Sequence, residues 1–514
     1  MKRIEAEEFI DNSKLLYETG LPVHAHLDDG SVVIFENGFY LVETTDSTFM
    51  NSNFRGAIRY SLDRQQKDTI FTLDYSKVAY VDVVEKRLDG LAFLLSLPGA
   101  LITSAITAVA IFGSCPTVYS MDGNIEHLEA ECFSYSINPR FEMQDVDKLE
   151  YPDFKDGILK LELRNEALET HYINTFKVLT VDHEPGHIIL PKESGSMIEW
   201  KKELIEIGPL FNDYSVRDKL NNDISQLTAF EDEQYFSSSD KAVEEAVFDE
   251  ETNDWIIMDL NLPEHQTELF LGFKLRSTLL NTVLLYDLLL DAQNLGAIDW
   301  TGTTSQGMWY AYNFAKWYHK NFGLHIEVLK NGEFVEVTQL GDSGPIVWSK
   351  LGVRIPLFEG GQTSVRFKFI TDNWHIDWIG VSLSGNQEPV FKEHDISSVK
   401  GGDKGLNIIS KASNDDDEYL ITYPGHNYSF NFDVGNNDDK LDRSFFIQAK
   451  GYYIEWLRKD WLLADEGEAL IEDVSLDNTL IRNLFEKWYC EKATMEDFFF
   501  ETMIPVINKN ETGD

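Results

Sequence analysis

Between residues 22 and 85 the apolar positions come in short runs broken by turn residues, as in "VHAHLDDGSVVIFENGFYLVE" and "DTIFTLDYSKVAYVDVVE". Short runs rich in valine, isoleucine and aromatics, separated by Asp-Gly or Asn-Gly, predict strands and hairpins rather than helices. Residues 1–88 are therefore expected to form a small β-rich N-terminal domain, a curled or barrel-like sheet, with a weak helical pattern over 4–19.

The pattern changes at Leu91. "LAFLLSLPGALITSAITAVAIFG" runs to Gly113 without a charge, and as a helix at about 1.5 Å per residue it would rise about 34 Å, enough for a hydrocarbon core of about 30 Å. Ala100, Ser104 and Ala108 repeat the small-xxx-small spacing of close-packed membrane helices. Two readings stand for 91–114: a transmembrane anchor, or a buried helical hairpin broken at Pro98-Gly99. On the first reading Lys86 and Arg87 precede the run and Asp122 and Glu126 follow it, which retains the N-terminal domain in the cytoplasm and places the large C-terminal portion outside. A chain that is wholly soluble is the alternative.

From Cys115 onward strand patterning resumes. Residues 115–208 read as a β domain opening with a hairpin around Asp122-Gly123, and 209–253 as an acidic connecting region with short helices. Residues 254–399 read as a β-sandwich-like domain with a hairpin through Asn331-Gly332 and a buried helix over 277–293. Residues 400–514 read as a C-terminal β region with a helical tail. The fold class expected is mainly β with α insertions (α+β), in several domains.

Composition narrows the partners. The chain of 514 residues carries 88 acidic against 44 basic side chains, a formal charge of −44. Such a field repels phosphate backbones, so nucleic acid is excluded and a protein or glycan partner is expected. The start, "MKRIEAEEFIDNSKLLYETG", has no apolar core and does not read as a secretory signal. Three cysteines, Cys115, Cys132 and Cys490, exclude a disulfide-dense scaffold. Cys115 and Cys132 flank the first hairpin, and a disulfide between them requires a bulge.

Candidate chemistry is sparse. "GDSGP", 341–345, is similar to the nucleophile region of trypsin-like proteases, but one glycine is missing and no histidine segment of the required kind precedes Ser343. In "VDHEPGHII", Asp182, His183 and His187 are metal-ligand types, although Pro185-Gly186 forbids a helix that would align the rings. Asp433, Asn436, Asp438 and Asp442 offer the oxygen donors of a calcium loop without the EF-hand spacing, and a structural calcium there is the one exception to an expectation of no cofactor. Trp374 and Trp378, with His375 pointing the other way along a strand, are candidates for stacking on sugar rings. No Walker loop, dinucleotide fingerprint or His-Glu-x-x-His occurs, and no catalytic residue is assigned.

The segments "IFGSCPTVYS", "EAECFSYSINPRFEMQDVDKL", "LRNEALETHYI" and "LLNTVLLYDLLL" resemble a family of bacterial envelope proteins with no known activity. In that family a β-rich N-terminal region leads into an apolar segment and a Cys-Pro-x-Val-Tyr start. The resemblance implies an envelope location and no chemistry. The expected role is therefore a membrane-tethered, noncatalytic structural or interaction protein of the bacterial envelope. An envelope enzyme such as a glycan-acting hydrolase, or a fully soluble carbohydrate-binding protein, is the alternative.

Overall fold

Gly30 closes the first Asp-Gly turn at φ +79°, a conformation that only glycine adopts without strain. The computed structural model describes residues 2–5, 23–83, 116–193, 203–284, 316–456 and 478–501, less short breaks at 37, 45–46, 53–56, 61–67, 71, 135, 137–141, 249–250, 342–343, 359, 402–406, 417 and 439. At the N-terminus a six-stranded antiparallel sheet runs in the order Lys2–Glu5, Val78–Val83, Val23–Leu27, Val32–Phe35, Ala57–Tyr60, Asp68–Ile70. A three-stranded sheet of Phe39–Glu43, Thr48–Ser52 and Thr72–Asp74 accompanies it.

Alternation is weak in these strands because two of them are covered on both faces. Ala25, Val33 and Phe35 pack with Met50 and Leu73 in the domain's own core. Val32, Ile34 and Tyr60 pack instead on Tyr423 and Trp456, far along the chain.

Two sandwiches follow, one nested inside the other. The outer one pairs a sheet ordered Ile125–Glu131, Thr117–Asp122, Ile158–Arg164, Asn427–Asp433, Ile396–Gly401 with a sheet ordered Met143–Lys148, Asp442–Glu455, Glu169–His183, Lys392–His394. Val118, Leu161 and Phe430 from the first sheet meet Phe176, Val178 and Ile447 from the second in one core. The boundary expected at residue 400 therefore separates no sheets: Asp442–Glu455 pairs with Glu169–His183 from Glu455↔Glu169 to Asp442↔His183.

Between His183 and Lys392 the chain builds the inner sandwich. Its first sheet runs Trp374–Ser382, Glu268–Ser277, Ser349–Pro356, Ile188–Lys192, Glu203–Ile207, Gly385–Asn386. The second runs Tyr214–Asp218, Asn253–Asn261, Gln362–Ile370, Leu324–Lys330, Glu333–Leu340. Leu271, Phe273 and Ile376 interlock with Met258, Ile326 and Phe367 between them. The hairpin at Asn331-Gly332 forms as its residues predict, with φ of +51° and +84°, the two positive values of a type I′ turn.

Three expectations are corrected here. The region 209–253 is more than a connector, since Tyr214–Asp218 is a sheet strand and Val216, Ile224 and Phe236 enter the inner core. The helix expected over 277–293 begins later: Ser277 ends a strand and helix starts at Leu280, while residues beyond 284 lie outside the described residues. The transmembrane anchor is withdrawn. Among the described residues no helix is long and apolar enough to cross a membrane; the helix Asn478–Glu501 has the length but carries Arg482, Glu486, Lys487 and Lys492. The apolar run 91–114 that prompted the anchor lies outside the described residues.

Helical pieces fill the space beside the outer core. Val243 and Ala246 of Asp240–Phe248, Leu280, Phe322 of the turn at 316–322, and Leu484 and Trp488 of Asn478–Glu501 all join it. Trp488 donates its indole N–H to Asp372, whose carboxyl is pushed upward by burial against the pull of Lys492.

Candidate functional site

The most concentrated chemistry lies where the two sandwiches meet, and a β-bulge makes it. In the pairing of Glu268–Ser277 with Trp374–Ser382, Lys274 faces Trp378 while Leu275 faces Ile376, so Asp377 is an extra residue. A bulge of this kind re-aims one side chain and reverses the inward and outward parity beyond it. Trp374 and Ile376 consequently point into the inner core, whereas Trp378 points to the opposite face and packs on Leu190, Ile205 and Phe270.

Asp377 is turned toward Lys274. Its Oδ2 lies 3.3 Å from Nζ of Lys274, which is also 3.6 Å from Glu150 of the outer sandwich. Glu150 in turn lies 3.1 Å from Lys350, and Lys350 2.5 Å from Glu231. The chain of charges runs from one sandwich to the other. Burial raises the Asp377 carboxyl pKa, with Lys274 pulling the other way. Burial works against the Lys350 ammonium, but Glu150 and Glu231 outweigh it and hold the pKa up. Lys148 contacts a carbonyl instead: its amine donates to Ile189 at 2.9 Å, and burial, reinforced by the Lys350 charge against the pull of Glu231 and Glu150, brings its pKa down to about 8.

An aromatic group borders these charges. Tyr235 stacks on His375 with ring centroids 4.5 Å apart and lies 5.3 Å from Trp348. Arg276 sits 5.2 Å and Lys274 5.9 Å from the Trp348 ring centre, within the range of cation–π attraction. Arg276 also donates to the Pro345 carbonyl at 3.1 Å, which ties the loop before Trp348 to the sheet. All three residues are partly exposed. Sugar rings present C–H faces that suit the negative face of an aromatic ring, and charged neighbours supply partners for hydroxyl and carboxylate groups.

Burial, then the Arg276 and Lys492 charges, press His375 down to about 3. The folded ring is thus neutral where the unfolded chain takes up a proton. Stability is withheld as pH falls from about 6.5 toward 3, and between pH 7 and pH 5 the linked loss is about 2 kcal/mol. In urea titrations at these two pH values, His375→Gln should lose about 2 kcal/mol less than the parent chain on acidification; an equal loss would contradict the assignment.

The residues expected from sequence sit elsewhere. Trp374 and Trp378 are 0% and 4% exposed, so neither is available for stacking on a sugar, and His375 shares its face with Trp378 because of the bulge. Asp182 is clamped by Nε and Nη2 of Arg443 at 2.5 and 2.9 Å. His183 bonds to the Ser444 hydroxyl, and His187 lies 2.6 Å from Glu206. Adjacent strand residues point to opposite faces, so this trio does not converge.

In the calcium candidate, Asp433 and Asp438 accept from the backbone N–H of Gly435 and Lys440 as ordinary turn residues. Asn436 and Asp442 are exposed, and Arg443 donates to the Val434 and Gly435 carbonyls that a cation would use. Among the described residues no three His, Cys, Asp or Glu side chains are grouped to hold a metal. Cys132 is buried and has no disulfide partner among the described residues. The hairpin does contain a bulge, between Val118 and Tyr119, but Cys132 is then carried opposite Pro116, to whose carbonyl its N–H donates at 3.0 Å. Cys115 and Ser343 lie outside the described residues.

Tyr235 and Trp348 were not singled out from sequence. Tyr235 stands in the acidic stretch read as a connector, and Trp348 three residues beyond the "GDSGP" turn, where no periodicity marks it.

No protein-family model matches the chain, and no curated protein does. Among solved structures it is similar to the GH31 alpha-xylosidase from Xanthomonas citri at 8% identity and a TM-score of 0.16, over 84% of this chain and 37% of that one. It is also similar to allantoicase at 10% identity and a TM-score of 0.19, over 46% of this chain and 80% of that one. The chain thus spans little more than a third of the xylosidase, and likenesses this slight assign it to no family.

Proposed function

We propose that this chain is a glycan-binding protein of the bacterial envelope, acting by contact rather than catalysis. One observation carries the reading: Tyr235, Trp348 and His375 form a partly exposed aromatic group bordered by Arg276 and Lys274, at the seam of two β-sandwiches. Clefts between domains are favoured places for ligands, and rings beside fixed charges suit sugars. The envelope part of the proposal is supported by the resemblance around "CPTVYS", residues 115–120. A binding role also accommodates the engaged carboxylates. Glu150 and Asp377 share Lys274 and so do not stand as a free acid and base.

The test is a panel of envelope and plant oligosaccharides titrated against the chain and its Trp348→Ala variant. Binding in the parent that falls about tenfold or more in the variant, without a shift in thermal midpoint, supports the proposal. Binding indifferent to Trp348 would overturn this site. Release of new reducing ends during incubation would instead favour the hydrolase reading.

A further inference from the structure

Cations are scarce in this chain, 44 against 88 acids, yet Lys148, Lys274, Arg276 and Lys350 gather at one seam. The carboxylates in salt-bridge contact with Lys274 and Lys350 are Glu150, Glu231 and Asp377, while Glu131 approaches the adjoining loop at Gly344. These carboxylates do not touch all the cations of the group. Lys148 is part-buried, makes its contact with a carbonyl rather than a carboxylate, and feels Lys350 as a like charge that Glu231 and Glu150 offset from beyond contact distance.

A buried ammonium without a contacting counter-charge is costly, and a second cation beside it adds to the cost. An anion arriving at that point supplies the contacting counter-charge that Glu231 and Glu150, acting from farther off, do not. The positions are also ordered. Arg276 and Lys274 flank Trp348, Glu150 bridges Lys274 to Lys350, and Lys148 ends the strand Met143–Lys148, which packs against the strand Ser349–Pro356 that carries Lys350. Cationic groups therefore extend away from the aromatic rings in a strip, which a ligand bearing one charge would not fill.

Resting on the glycan reading above, we propose that the ligand is an acidic oligosaccharide, its rings seated on Trp348 and Tyr235 and its carboxylates engaged by Arg276, Lys350 and Lys148. Uronate-type sugars meet this description because each residue carries both an apolar ring face and a carboxylate.

The experiment titrates the full chain with trigalacturonate and, for comparison, with the neutral trimer maltotriose. Trigalacturonate should bind about tenfold or more tightly than maltotriose and weaken as salt rises from about 0.05 to 0.3 M. Lys148→Gln should lower its affinity about tenfold, and Lys148→Arg should restore most of it. The salt titration on the parent chain needs no variant, so a folding defect in Lys148→Gln does not decide the matter. Equal binding of both trimers, still dependent on Trp348, overturns the acidic preference and leaves the glycan reading intact. Binding of trigalacturonate that ignores Lys148 overturns the strip, and binding of neither trimer overturns the acidic proposal.

Discussion

Trp374→Ala should unfold the inner sandwich about 3–5 kcal/mol more easily than the parent chain, the usual cost of removing a fully buried indole. The ring is 0% exposed and packs in the core shared by the two inner sheets. Its indole N–H donates at 3.2 Å to the Phe322 carbonyl, which also accepts from Asn373. Phe322 belongs to the outer core, so the substitution opens a cavity in one sandwich and loosens its hold on the other. Denaturant titration followed by circular dichroism measures the loss directly. Trp348→Ala provides the contrast, because a partly exposed residue at the seam should cost little stability and much affinity. A Trp374 variant of parental stability would mean that the ring is not in the core.

That contrast also locates what could be read from the amino acids. Strand against helix was legible wherever turn chemistry was explicit: Asp29-Gly30 and Asn331-Gly332 form turns with positive φ, as Asp-Gly and Asn-Gly pairs predict. Nesting was not legible. Nothing in "YSFNFDV" or "SFFIQAKGYYIEW" signals that these strands pair with residues more than 250 positions earlier, since a strand's pattern records which faces are buried and not which strand is beside it. The bulge at Asp377 was equally silent. Strict alternation in "NWHIDW" puts both tryptophans on one face, and a single inserted residue sends them to two.

The site was hidden for a related reason. Its aromatic and charged members come from five separated stretches, around Glu150, Tyr235, Lys274 to Arg276, Trp348 to Lys350 and His375 to Asp377, brought together by sheet pairing and by contact between sandwiches. Short motifs such as "GDSGP" and "VDHEPGH" drew notice because their letters are adjacent. In a strand, adjacency places side chains on opposite faces, which is why Asp182 and His183 separate to Arg443 and Ser444.

Removing one member of the seam should show how tightly those stretches depend on each other. Lys274→Met is expected to cost about 3–5 kcal/mol, because it strips a buried carboxylate of its cation. The Lys274 and Asp377 side chains are 7% and 0% exposed, and Asp377 would be left with backbone N–H groups alone, those of Asp232 and, at 3.1 Å, Glu233. The cost should depend on pH. Burial already raises the Asp377 pKa, and without Lys274 it rises further, so a proton can replace the lost cation in acid but not in base. The variant's deficit should thus be greater at pH 8 than at pH 5, which denaturant midpoints at the two values will show. Adding Asp377→Leu to Lys274→Met removes the stranded charge and should recover most of the loss, to within about 1 kcal/mol of the parent. If the double variant instead falls by the sum of its parts, the pair is not coupled. In that event the seam would be held by apolar packing rather than by charge.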